Sequence, residues 1–164
     1  MLKAGAAHGL CVCGLDSMDI RRIEAGILNN VSDMDETMNP FQAGLGVFVD
    51  MKKPDFIGKA ALANADRGVL LHGLKCADGE PYIHGEVCSN GKPVGRVTAA
   101  AWSPYLKCET AIVRLENANS RSAGGITVRL RDGTMKPASL VDLPMYDLNK
   151  AIPRGLDKTI PDRA

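Results

Sequence analysis

Short apolar runs alternate with turn-forming residues through the second part of the chain, from Gly68 onward. The runs are rich in Val, Ile and Thr, which favour strands, and Gly stands beside Asp, Asn or a second Gly between them. Asn90-Gly91 is typical of a two-residue hairpin turn with positive φ at both positions. This pattern predicts a six-stranded antiparallel β-barrel or a jelly-roll-like sandwich. The predicted strands cover residues 69–74, 83–88, 94–101, 110–115, 126–130 and 138–141.

The residues before this region carry the pattern of two amphipathic helices. Isoleucines recur at helical spacing in "DSMDIRRIEAGILNN", residues 16–30, and Asp16 or Ser17 can cap its N-terminus. A second helix is predicted in "DFIGKAALANAD", residues 55–66, with Asp55 as its cap.

Two further strands are predicted among the first residues. The apolar run 47–49 follows a turn-rich bridge, and Cys11 and Cys13 alternate as they would on one face of a strand. The change from mixed helices and strands to regular strands predicts an α+β protein with two units, residues 1–67 and 68–164. The tail from residue 149 is expected to follow the surface without regular structure.

Charge and cysteine content exclude several classes of function. Twenty basic and 19 acidic residues are mixed along the 164-residue chain, which argues against a nucleic acid or an anionic membrane as partner. No apolar run approaches the length of a membrane-spanning helix. The five cysteines lack a C-x-x-C pair and the three histidines share no ligand spacing, so no metal site is predicted. Free thiols indicate a reducing compartment, bacterial cytoplasm or mitochondrial matrix.

Three segments, taken in order, resemble the glycine-cleavage T-protein family. "RRIEAGILNNVSDMDETMNPFQAGLGVFVDMKKPDFIGKAAL" is similar to the family's R-x-E-x-G helix, its Asn-Pro turn and its D-F-I-G-[KR]-x-A-L element. "GKPVGRVTAAAWSPYLKCETAIVRL" is similar to its G-x-x-V-G-x-V-T-S-x-x-x-S-P-x-L signature, and "LPMYD" to its closing element. The resemblance covers most of the chain, and its specificity lies in the order of the pieces.

The resemblance implies a tetrahydrofolate-dependent one-carbon transferase that acts on folate and a small one-carbon donor. The family includes aminomethyltransferases, C-terminal modules of sarcosine and dimethylglycine dehydrogenases, and a folate-dependent demethylase. The sequence of the first segment resembles the demethylase branch more closely than the aminomethyltransferases. Full-length members are about twice as long, and their catalytic aspartate and folate-clamping glutamate have no match here. Residues 1–67 are therefore expected to be the end of a ferredoxin-like folate-binding domain, and residues 68–164 the whole barrel domain.

A chain of this kind is expected to hold no catalytic residue and to be inactive without its N-terminal half. Without that half, a face that it would cover is expected to be exposed, and the chain is therefore expected to self-associate. The alternative is a non-catalytic interaction module, such as the T-like part of a larger dehydrogenase.

Candidate folate-binding residues follow from the same alignment. Asp19 and Arg22 match the Asp and the second Arg of the family's R-D-S-L-R pattern, while Met18 stands at its first Arg. Arg22 and Glu24 lie two residues apart and so do not share a helical face. One of them can orient folate or a neighbouring loop; the other interpretation is an inter-domain salt bridge or a solvated charge.

Trp102 and Tyr146 complete the candidate set. Ser103-Pro104 stops a strand directly after Trp102, so the tryptophan can pin a corner with one edge buried. It can also form a wall of the folate channel or contact the absent first domain. Tyr146, with Lys150 and Arg154, is expected to close over the ligand, as the family's C-terminus does.

Overall fold

Six antiparallel strands close into a barrel in the computed structural model, which describes residues 1–152 and 154–158. Around the barrel the strands follow the order β1-β4-β3-β2-β5-β6. The predicted six-stranded barrel is therefore confirmed, and each predicted strand lies within a few residues of its observed position. The strands are β1 (Leu71–Cys76), β2 (Glu86–Ser89), β3 (Lys92–Ser103), β4 (Cys108–Leu115), β5 (Ile126–Arg129) and β6 (Met135–Val141).

Alternate strand residues fill the barrel, because successive side chains point to opposite faces of a sheet. Leu74, Val87, Val97, Val113 and Val128 are fully buried members of this interior cluster. Burial of one such side chain stabilises the fold by about 1.5–3 kcal/mol.

The hairpin between β2 and β3 has the predicted geometry. Asn90 and Gly91 both adopt positive φ, at 49° and 77°. A two-residue turn of this type matches the twist of the strands that it joins.

The first helical prediction is right in place but too long. The helices are α1 (Leu2–Gly5), α2 (Leu15–Ala25) and α3 (Lys59–Ala63). Helix α2 ends at Ala25 because Gly26 turns left-handed, with φ 66°. Neither Asp16 nor Ser17 caps α2, since the N-cap is Gly14 and the Ser17 hydroxyl donates to the Gly14 carbonyl.

The second helical prediction is shorter than expected as well. Gly58 stands at the N-cap of α3 with φ 89°, so the helix starts after this glycine and Asp55 does not cap it.

The strands predicted outside the barrel are wrong. Residues 47–49 overlap a 3₁₀ turn, Gly46–Phe48, in which Val47 and Phe48 are exposed. Cys11 and Cys13 lie in an irregular, exposed stretch. Among the residues that the structure describes, no strand lies beside either segment to supply backbone hydrogen bonds, which an apolar pattern alone cannot provide. Further 3₁₀ turns span Ala6–His8 and Ala118–Ser122.

The segment after β6 returns to α2. Its described part, 142–152 and 154–158, holds only turns and bends, in agreement with the expected irregular tail; residues 153 and 159–164 lie outside the described residues. Within the described ranges, none of the helices has both the length and the apolar character required to cross a bilayer.

Candidate functional site

Helix α2 packs against the outer face of the barrel through one apolar residue. Ile23 is buried in a second cluster with Ala99 of β3, Ile112 of β4 and Met145. The helix end approaches the chain so closely that a Cβ at Gly26 would lie 2.9 Å from the Leu143 Cβ. Helix α2 is thus held between the barrel and the segment after β6.

Glu24, the next residue, is buried, with only 1% of its surface exposed. Its Oε1 accepts a hydrogen bond from the Ser103 hydroxyl at 2.5 Å, and its Oε2 accepts one from the Tyr146 hydroxyl at 3.0 Å. The Arg21 guanidinium lies 3.6 Å from the same carboxylate. The interpretation of Glu24 as a solvated charge is therefore wrong, because the tertiary fold gives this carboxylate buried partners.

Tyr146 is fixed from two sides. Its ring stacks on Tyr105, with centroids 4.1 Å apart and planes at 14°. Burial raises the pKa of the Tyr146 hydroxyl, and the nearby Glu24 charge and hydrogen bond raise it further, while Arg21 opposes them. The Tyr146 hydroxyl is therefore a neutral donor at neutral pH.

Arg22 points to a different buried carboxylate. Its Nε donates to Asp19 at 2.8 Å and its Nη1 to Asp33 at 2.9 Å. Asp33 is buried, and its carboxylate also accepts hydrogen bonds from the backbone N–H of Asn29 at 2.7 Å and from the Thr98 hydroxyl at 2.6 Å. Arg22 therefore forms salt bridges, but with Asp19 and Asp33 of its own predicted unit, residues 1–67, and not the inter-domain salt bridge that the sequence suggested.

Thr98 reaches Asp33 because β3 is bulged there. The register with β4 shifts between Val97 and Ala99, which leaves Thr98 as the extra residue. A bulge re-aims the side chain that it inserts. Asp33 itself was missed in the sequence, where it stands in a loop rich in acidic residues that resembles an ordinary solvent-exposed segment.

A cavity of about 840 Å³ lies between α2 and the segment after β6. This volume falls in the range of small-molecule sites, which are mostly apolar with a few polar groups. Its apolar walls are Met18, Ala25, Ile27 and Ile152, and Tyr146 adds an aromatic ring.

The charged lining of this cavity, named here the α2–tail cavity, is mainly basic. Arg21, Arg22 and Lys150 contribute cations, and Asp147 is the acidic residue. The Asp147 carboxylate already accepts hydrogen bonds from the amides of Ala151 and Ile152, at 2.7 and 3.0 Å. The arrangement favours a ligand with an apolar or aromatic body and an anionic end.

The predicted site residues divide into two groups. Arg22 and Tyr146 line the α2–tail cavity, and Glu24 and Asp19 stand behind them as partners of Tyr146 and Arg22. Trp102 does not line it.

Trp102 is the next-to-last residue of β3 and pairs with Glu109 of β4, and 43% of its surface is exposed. The predicted stop holds, because β3 ends at Ser103 directly before Pro104. Trp102 belongs to neither described core cluster. The buried residue at this corner is Ser103, so the tryptophan supplies less core area than the corner interpretation assumed.

Lys150 lines the cavity as well, whereas Arg154 is not among its lining residues. Among the described residues, no group of three or more His, Cys, Asp or Glu side chains is placed to hold a metal ion.

Two sequence families match the two parts of the chain. The glycine cleavage T-protein C-terminal barrel domain matches residues 70–147, which contain the whole barrel. The GCVT N-terminal domain matches residues 1–53, which contain α2.

Curated relatives agree with these matches. The aminomethyltransferase of Synechococcus sp. strain CC9902 is 36% identical over 147 residues, covering 84% of this chain and 39% of that enzyme. The trimethylamine-oxide aldolase of Ruegeria pomeroyi is 35% identical over 160 residues, covering 93% of this chain and 20% of the relative. The chain thus spans about two fifths of the aminomethyltransferases that it matches.

A solved structure supports the same fold. The glycine cleavage system aminomethyltransferase T from Bartonella henselae superposes with a TM-score of 0.69 at 24% identity, covering 81% of this chain and 39% of that one. Sequence families, relatives and fold agree. The chain belongs to the glycine-cleavage T-protein family and corresponds to the C-terminal part of its members.

Proposed function

We propose that the chain is the C-terminal part of a tetrahydrofolate-dependent aminomethyltransferase. One observation carries the proposal: two of the three family-like segments meet at the α2–tail cavity, with Arg21 and Arg22 from the first and Tyr146 from the last. The middle segment supports them through Ser103, which donates to Glu24 behind Tyr146.

The lining of the cavity fits folate. Folate has flat rings and a glutamyl end with two carboxylates, and the cavity combines apolar walls and the Tyr146 ring with basic side chains. Aromatic rings pack well against flat ligands, and Arg binds carboxylates through paired donors. Arg21 and Lys150 would hold the carboxylates, while Arg22 is fixed by Asp19 and Asp33.

Tetrahydrofolate, when bound, supplies the nitrogen that accepts the one-carbon unit. The residues of this chain bind and orient it and exclude water from one side of the cavity. No catalytic residue is assigned to this chain, because the family's reactive carboxylates have no match in its sequence. It is therefore expected to be inactive alone.

The first 67 residues expose large apolar side chains, which a partner would cover. We infer that the partner is the N-terminal half that longer relatives carry, and that the isolated chain self-associates through this surface. The five cysteines are free, which supports a reducing compartment such as the cytoplasm. These exposed side chains include Leu10, Val12, Leu15, Met18, Ile27, Val31, Val47, Phe48 and Ile57.

A second candidate rests on the Ruegeria pomeroyi relative, where a similar segment is one fifth of a longer protein. In that case the chain would be a module of a larger enzyme of one-carbon or methylamine chemistry, such as a demethylase or a sarcosine dehydrogenase, and would serve as a docking surface. Loss of folate binding together with retained binding to an adjoining domain would favour this candidate.

Calorimetric titration with 5-formyltetrahydrofolate tests the main proposal. We expect saturable binding, and weaker binding of pteroic acid, which lacks the glutamyl end that Arg21 and Lys150 would hold. Equal affinity for the two compounds, or no heat with either, would contradict the assignment. One-carbon transfer should require added N-terminal half, and enzyme-like transfer by the chain alone would contradict its predicted inactivity.

A further inference from the structure

Three distant parts of the chain meet at Glu24. Ser103 ends β3 and donates to one carboxylate oxygen, and Tyr146 follows β6 and donates to the other. The Met145 amide also donates to the backbone carbonyl of Glu24, at 3.1 Å. Helix α2, the barrel and the tail are therefore joined at one residue.

Glu24 is also connected to Tyr105, the residue on which the Tyr146 ring stacks. The Ser103 hydroxyl that donates to Glu24 accepts a hydrogen bond from the Leu106 amide at 2.9 Å. This second bond closes the turn that carries Tyr105. Both rings of the Tyr105–Tyr146 stack are thus connected to the Glu24 carboxylate by hydrogen bonds. Tyr146 bonds to it directly, and the turn that carries Tyr105 is connected to it through Ser103.

Stability alone does not explain a carboxylate at this place. A buried charge is costly, and apolar residues of similar volume often stabilise a protein more. A carboxylate offers two acceptor oxygens, whereas glutamine would turn an NH₂ group toward one of the two hydroxyl donors. The arrangement therefore specifies ring orientation, in addition to holding α2 on the barrel.

We propose that Glu24 is a positioning residue that fixes Tyr146, stacked on Tyr105, as the aromatic wall of the α2–tail cavity. Glu24 is not among the residues that line the cavity. Its effect on binding passes through Tyr146. The ligand-binding part of this inference rests on the proposed function, and the contact between Glu24 and Tyr146 does not.

The first experiment measures the contact without a ligand. The Tyr146 titration is obtained as the difference in tyrosinate absorbance between the wild-type chain and Tyr146→Phe. Because the Glu24 charge raises the pKa of Tyr146, Glu24→Gln should lower that pKa, while Arg21 stays in place. Glu36→Gln, the same change at an exposed glutamate, should leave it unchanged. A folded Glu24→Gln chain with an unaltered Tyr146 titration would overturn the proposal.

The second experiment measures binding of 5-formyltetrahydrofolate. We expect Glu24→Gln and Tyr146→Phe each to weaken binding roughly tenfold, as expected for loss of a hydrogen bond to a charged group. The double variant should be no weaker than either single variant, because both changes break one interaction. Additive losses, or wild-type affinity in Glu24→Gln, would overturn the proposal.

Two further outcomes are decisive. If the wild-type chain does not bind, the proposed function fails, and the Tyr146 titration still decides the role of Glu24. If Glu24→Gln does not fold, Ser103→Ala replaces it, because this change keeps the charge and removes one donor. A weaker near-ultraviolet circular dichroism signal of the tyrosine stack in Ser103→Ala supports the proposal, and an unchanged signal overturns it.

Discussion

Replacing Asp33 with alanine should destabilise the chain more than any exposed charge substitution. Asp33 has a fully buried side chain and accepts from the Arg22 guanidinium, the Asn29 amide and the Thr98 hydroxyl. Removing one partner of a buried charge pair costs about 3–5 kcal/mol. Two of these donors keep another acceptor, because Arg22 still meets Asp19 and Thr98 still meets the Ile112 carbonyl at 3.1 Å. We therefore expect Asp33→Ala to lower the free energy of unfolding by about 3 kcal/mol, the low end of this range.

Urea unfolding at neutral pH measures this effect. For a small domain the free energy of unfolding falls by about 1–3 kcal/mol per molar urea, so Asp33→Ala should lower the midpoint by about 1–3 M. Asp55→Asn removes an exposed charge and should change the free energy of unfolding by less than about 0.5 kcal/mol. An Asp33→Ala midpoint close to that of the Asp55→Asn control would show that the Asp33 carboxylate does not anchor α2 and its following loop.

Three other substitutions test separate parts of the structure. Gly95→Ala should lower the free energy of unfolding in urea by about 1–3 kcal/mol, because its Cβ would collide with the Arg114 carbonyl oxygen. Gly124→Ala should be near neutral, because its Cβ would meet none of the described atoms within 4 Å, and equal losses in the two variants would contradict this. Burial lowers the pKa of His72, so on acidification the unfolded chain binds a proton at this residue before the folded chain does. The free energy of unfolding should therefore decrease as the pH is lowered from about 7 to about 5. His72→Gln should remove this pH dependence, and an unchanged dependence in the variant would contradict the prediction. Met18→Arg restores the family's arginine beside the α2–tail cavity and should tighten 5-formyltetrahydrofolate binding in calorimetry, whereas unchanged or weaker binding would count against folate there.

The barrel could be predicted from the sequence because its signals are local. Strand alternation and turn residues such as Asn90-Gly91 act within a few residues, and β2-β3, β3-β4 and β5-β6 pair strands that follow each other in the sequence. The pairings of β1 with β4 and β6 and of β2 with β5 join more distant strands, which no local signal specifies. The run 47–49 carries the same apolar signal without an adjacent strand, and it forms a 3₁₀ turn. Gly26 illustrates the opposite case, since a single residue with a left-handed preference shortens the predicted helix by several residues.

The candidate site could be predicted only in part. The alignment with family motifs identified Arg22, Glu24 and Tyr146 as candidate site residues, but it did not predict which residues they contact. The partners of Glu24 lie 79 and 122 residues away in sequence, and Thr98 lies 65 residues from Asp33. Burial of a carboxylate depends on such distant donors, so local composition suggested solvated charges instead.

We propose that the α2–tail cavity is the part of this chain that holds folate. Chemical-shift mapping of the isotopically labelled chain during titration with 5-formyltetrahydrofolate tests it most directly. We expect saturable shifts at Ala25, Tyr146 and Lys150, with little change at the Glu86–Arg129 ion pair on the barrel surface. Shifts that do not saturate, or that centre on the barrel surface around β5, would contradict it.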